Sequence, residues 1–119
     1  MSEPAAGTSC LIFRLGAQRF YLPVASVVHV MRSAALTRVP GTVPAVRGLV
    51  NHRGKVLTVA HMGEILGIPV DAGTGEVIIV EDAERRFALA VDAVLELSAE
   101  TRTGLAMVDL EQVAKAIFA

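Results

Sequence analysis

Residues 44–61 read Pro44-Ala45-Val46-Arg47-Gly48-Leu49-Val50-Asn51-His52-Arg53-Gly54-Lys55-Val56-Leu57-Thr58-Val59-Ala60-His61. Two apolar runs meet at a polar corner. Val46, Leu49 and Val50 lead in, and Val56, Leu57 and Val59 lead out. Asn51, Arg53 and Gly54 stand between them. Asn and Gly accept the positive φ that a tight connection needs, so the segment predicts a β-hairpin. Gly48, inside the first run, predicts a bulge or a close approach of two backbones.

Upstream, Leu11, Phe13 and Leu15 alternate with polar or smaller neighbours. Gly16–Arg19 turns the chain and Phe20-Tyr21-Leu22 returns, a second hairpin. Val24, Val27, Val28 and Met31 fall at i, i+3, i+4 and i+7 after Pro23, a spacing that predicts a helix. The β-branched residues in that run favour strand, but the spacing takes precedence here. Residues 36–44 are punctuated by Pro and Gly and read as extended or looping.

Downstream of the quoted stretch, Met62–Leu66 predicts a short helical turn stopped by Gly67. Residues 71–75 read as a flexible loop. Val77–Val80 is an apolar run expected to be buried on both faces. Phe87, Leu89 and Val91 alternate in the next strand, and 94–97 forms another. Residues 105–108 read as a last strand. Asp109 and Gln112 resemble a capping pair, ahead of a helix with its stripe at Leu110, Val113, Ala114 and Ile117. Seven or eight short strands with few helices predict a mostly β chain built of small barrels.

The 119 residues support one domain. The chain is 53% hydrophobic, with a mean hydropathy of +0.55 and no Trp. Its core must therefore come from Val, Leu, Ile and Ala, with apolar surface left over for a partner. Eleven basic and twelve acidic residues give a net charge of −1 without a block of either sign. Along the sequence there is no basic stripe of the kind a nucleic-acid binder shows. No apolar run reaches the ~18 residues of a membrane span. Cys10 is alone, which fits a reducing cytoplasm. Residues 1–9 lack the pattern of a secretory signal and read as a disordered arm, leaving 10–119 as the domain.

The residues also show a family likeness. Val46-x-Gly48-Leu49-Val50-Asn51-x-Arg53-Gly54 resembles the Gly-x-x-Asn-x-Arg-Gly signature of CheW-like domains. Around it stand Phe13-x-Leu15-Gly16, Tyr21-Leu22-Pro23-Val24, Val39-Pro40 and Glu64-Ile65-Leu66-Gly67, then Val77–Val80, Leu89-x-Val91-Asp92-x-Val94 and Val108-Asp109-Leu110. Their order is similar to the family's from Leu11 nearly to the end. The resemblance implies two small SH3-like β-barrels packed side by side, short helices, no catalytic activity and no cofactor. It implies as partners the cytoplasmic tip of a chemoreceptor (a methyl-accepting protein) and the regulatory domain of a CheA-type histidine kinase.

The resemblance also implies a partner-binding set of Val27, His29, Gly48, Asn51, Arg53, Gly54, Val77, Ala88 and Leu97. Taken singly, Arg53 reads as a solvated turn residue and the apolar positions as ordinary core. Three departures accompany the likeness. His29 stands where the family has a Glu able to pair with the Arg matched by Arg53. His61 stands where the family has an acidic residue. After Leu97 a strand and long loop of the family are missing, so one barrel is expected to lack a strand and kinase coupling to be weakened. In its short length the chain resembles the divergent branch of the family found in the Frz gliding-motility system.

Enzyme and metal readings find no support. His29, His52 and His61 fit no His-x-x-x-His or Cys-assisted ligand spacing. No Gly-rich elbow surrounds Ser26 or Ser98, and no phosphate loop is present.

Overall fold

A computed structural model describes residues 9–32, 35–70, 76–98 and 105–118. The described residues form nine strands: β1 (Cys10–Leu15), β2 (Gln18–Pro23), β3 (Val27–Met31), β4 (Val46–His52), β5 (Lys55–His61), β6 (Glu76–Asp82), β7 (Arg85–Val91), β8 (Ala93–Ser98) and β9 (Ala106–Met107). Two helices accompany them, α1 (Met62–Leu66) and α2 (Leu110–Phe118). The strands make two sheets, ordered β8-β1-β2-β9 and β3-β6-β7-β5-β4. This is the expected mostly β pair of small barrels. Among the described residues the first sheet has four strands and the second five. Neither sheet is purely antiparallel, since β5 runs parallel to β7 and β2 to β9.

The main core lies between the sheets. Phe13, Leu15, Phe20 and Leu22 of the first sheet meet Ile78, Val80, Phe87 and Leu89 of the second, and α2 adds Leu110, Val113, Ala114 and Ile117. A smaller core of Val50, Leu57, Val59, Val77, Ile79 and Ala88 fills the second barrel. Val77 and Ile79 face one core while Ile78 and Val80 face the other, so β6 is apolar on both faces as its sequence required.

The helix expected from Val24 to Met31 is corrected. Val24–Ser26 forms one 3-10 turn and Val27–Met31 is a strand paired with β6. The helical spacing is produced by that turn followed by a bulge between Val27 and His29, which resets the two-residue period. Edge pairing suits the β-branched side chains better than a helix does.

Other expectations hold. The quoted stretch is the β4–β5 hairpin, closed by Arg53 (φ 53°) and Gly54 (φ 82°), both left-handed as a two-residue hairpin loop demands. Asn51 Oδ1 accepts the Gly54 N–H at 3.1 Å. Gly67 closes α1 at φ 69° and ψ 35°. Asp109 Oδ1 accepts the N–H groups of Glu111 and Gln112 at 3.0 and 3.4 Å, capping α2. The disordered arm and the flexible loop at 71–75 lie outside the described residues, the arm apart from its last residue, Ser9.

The β6–β7 hairpin turns through Ala83 (φ 51°) and Glu84 (φ 68°), two left-handed residues that carry a Cβ. The double substitution Ala83→Asn with Glu84→Gly is expected to stabilise the protein by about 1 kcal/mol. A rise in urea midpoint without a change in slope checks it.

Candidate functional site

A groove of about 340 Å³ runs where the two sheets meet. One wall is β3 with its preceding turn: Val24, Val27, His29, Val30 and Arg32. The other is β8, from Val94 to Leu97, and Leu11 lies at the floor. The groove is mostly apolar and open. Leu97 is 66% exposed and Leu95 43%. These are large apolar side chains left unburied on one wall, the surplus that the composition implied.

One carboxylate holds both walls. Glu76, at the start of β6, accepts the Val94 N–H on Oε1 at 2.6 Å. Its Oε2 meets the Arg32 guanidinium at 3.4 Å. Arg32 and Val94 belong to opposite walls, so Glu76 fixes the groove's width. The bond to the backbone N–H is charge-assisted and the stronger of the two, while the exposed ion pair contributes little. Nothing in the sequence marked Glu76.

His29 leads from the groove to a second feature. β3 and β4 are the two outer strands of the second sheet. The sheet curls until His29 on β3 meets His52 on β4, ring centroids 5.0 Å apart. Elsewhere the outer side of β4 is covered by Thr37, which exchanges two backbone hydrogen bonds with Leu49. A Cβ at Gly48 would stand 2.7 Å from the Thr37 carbonyl oxygen. The bulge between Val46 and Gly48 and this approach bear out both readings of that glycine.

The pKa of His52 is lowered from its ordinary 6.5 by burial first, then by the basic neighbours Arg53, His29 and Arg86. In the unfolded chain His52 takes a proton near 6.5, and in the folded chain only at lower pH. Below about 6.5 the unfolded state therefore holds more protons, and stability falls as the pH is lowered through that window. His52→Gln is expected to flatten the acid side of the stability profile. Urea midpoints near pH 7.5 and 5.5 check it: the wild-type midpoint should drop further than the variant's.

Of the positions the family likeness implied, the structure gathers three in the groove: Val27, His29 and Leu97. Arg53 is exposed at the hairpin corner and acts on His52. Asn51 and Gly54 shape that corner, and Gly48 is buried under Thr37. Val77 and Ala88 are a correction: both are 0% exposed in the smaller core. They brace the sheet from within and offer no surface to a partner.

The comparisons with known proteins agree with this architecture. A family model for the CheW-like domain matches residues 9–103. The chain belongs to the CheW-like family. It is 33% identical over 89 residues to a Rhizobium etli protein named "Probable chemotaxis protein CheW", a match covering 73% of this chain and 57% of that relative. The crystal structure of the scaffolding protein TtCheW from Thermoanaerobacter tengcongensis superposes with a TM-score of 0.71 at 28% identity. That match covers 77% of this chain and 64% of the other. The chain thus spans less than two thirds of the length of either relative. No helix among the described residues is long and apolar enough to cross a membrane.

Proposed function

We propose that this protein is a cytoplasmic chemosensory adaptor that binds the helical signalling tip of a chemoreceptor in the groove between β3 and β8. The exposed Leu95 and Leu97, facing the β3 wall across a groove of fixed width, carry the reading. An amphipathic helix laid into an apolar groove is a recurrent recognition mode. The chain from residue 10 to 119 acts as one domain, with 1–9 as an arm.

Coupling to a CheA-type histidine kinase is weakened or lost in this proposal. The first sheet has four described strands, and its last, β9, pairs with β2 through only two residues. Such an edge offers a partner little regular backbone. The short, divergent CheW-like branch of the Frz motility system is the counterpart this suggests. The second reading is a conventional adaptor that couples both partners, favoured by the intact β4–β5 hairpin with Asn51, Arg53 and Gly54.

Calorimetric titration against a soluble receptor cytoplasmic fragment and, separately, the kinase regulatory domain distinguishes the two. Binding to receptor alone supports the first reading. Kinase binding of comparable strength replaces it with the second, and absence of receptor binding removes both.

A further inference from the structure

One end of the second barrel is cationic. Along β4, His52 follows Val50 on the face that lines the smaller core, and Lys55 is its direct partner on β5. On β7, Arg86 lies two residues beyond the core residue Ala88 on the same face, opposite Glu81 of β6. His29 of β3 stands opposite the core residue Ile79 and touches His52. Arg53, at the corner, completes the ring. Glu81 shares this face and already accepts a hydrogen bond from Arg86 at 3.0 Å, while Asp82 and Glu84 follow it at the turn end of the same hairpin. A chain whose net charge is −1 thus gathers five groups that carry or can take positive charge around one opening. The opening is continuous with the groove, because His29 lines both.

We propose that this mouth seats an acidic side chain of the helical partner held in the groove, and that the pairing brings a proton onto the His29–His52 pair. The inference rests on the groove reading above and adds the chemistry of its occupant. A carboxylate is the group that fits, since Arg53, Lys55 and Arg86 offer donors and the two imidazoles lie side by side among them. In the free protein, a proton on this pair lies among like charges. In the complex the carboxylate compensates it, so binding consumes a proton and tightens as pH falls.

The test titrates the full chain with a soluble receptor cytoplasmic fragment near pH 8 and near pH 6, in two buffers of unlike protonation enthalpy. The expected result is about tenfold tighter binding at the lower pH, with net proton uptake. His29→Gln, at an exposed position, is expected to reduce the pH response to under about twofold, and His52→Gln to do the same. His29→Gln keeps the test decisive if His52→Gln fails to fold. A receptor fragment with the acidic residues of its tip changed to amides should lose the pH response as well. Binding that is independent of pH, or a wild-type response retained by His29→Gln or by the amide fragment, overturns the inference and leaves the groove reading standing. Loss of all binding at both pH values overturns the two together.

Discussion

Leu97→Asp is expected to weaken binding of a receptor cytoplasmic fragment by about 1000-fold. Burying a leucine against a partner helix contributes about 2 kcal/mol, and a carboxylate in the same place adds an uncompensated desolvation of similar size. The fold should be nearly indifferent. Leu97 is 66% exposed, and substitutions at such positions stay within roughly 0.5 kcal/mol unless a specific contact is lost. Thermal melts that coincide with wild type, together with a calorimetric isotherm that has gone flat, are the expected pair of results. Unchanged affinity with an intact melt removes the groove as the binding surface. Val77→Ala makes the complementary case. Val77 is fully buried, so its truncation should cost stability by roughly 1–3 kcal/mol without a specific effect on binding.

Gly16→Ala is expected to destabilise the protein by about 3 kcal/mol and to lower Tm by roughly 10 °C. Three effects act together. Gly16 has φ +61°, where a Cβ costs about 1 kcal/mol or more. An ideal Cβ there would stand 2.1 Å from the Pro69 carbonyl oxygen, and the obstacle is backbone that cannot swing aside. The Gly16 N–H also donates to the buried Asp92 carboxylate at 2.5 Å, so a shift of the β1–β2 turn strains a charge-assisted bond. Gly41→Ala is the control, since Gly41 also has a positive φ, +86°, but nothing within 4 Å. It should lose only the conformational part. Equal Tm losses in the two variants would show that the Pro69 contact contributes nothing.

Alternation made most of the fold legible. The β1–β2 and β4–β5 hairpins, the doubly buried β6 and the capped α2 follow from periods of two and 3.6 and from the turn residues beside them. β3 departs from the helical expectation because a 3-10 turn and a bulge together imitate a helical spacing, and the β-branched composition is the signal that points to strand. The site was legible only in part. Val27 and Leu97 do share a groove with His29, but Val77 and Ala88 face inward. A strand position states which face a side chain takes, and only the packing of sheets decides whether that face meets water. The Glu76 clasp and the His29–His52 contact were not readable at all. Each joins residues far apart in sequence across a closure that only the three-dimensional curl of the sheet creates.

The placement of β1 between β2 and β8 bears on how the protein is made. β1 is translated ahead of the other strands described, yet its second neighbour comes more than seventy residues later, with Cys10 paired to Ser98. Until then the β1–β2 hairpin has an open edge and shows Leu11, Phe13, Leu15, Phe20 and Leu22 to the cell. The apolar face is covered only when β6, β7 and α2 have emerged. Such delayed, non-local pairing slows folding and leaves a nascent chain prone to stick to its neighbours. Synthesis on crowded polysomes should therefore place this protein among the clients of ribosome-associated chaperones, and its yield should depend on translation speed between β2 and β8.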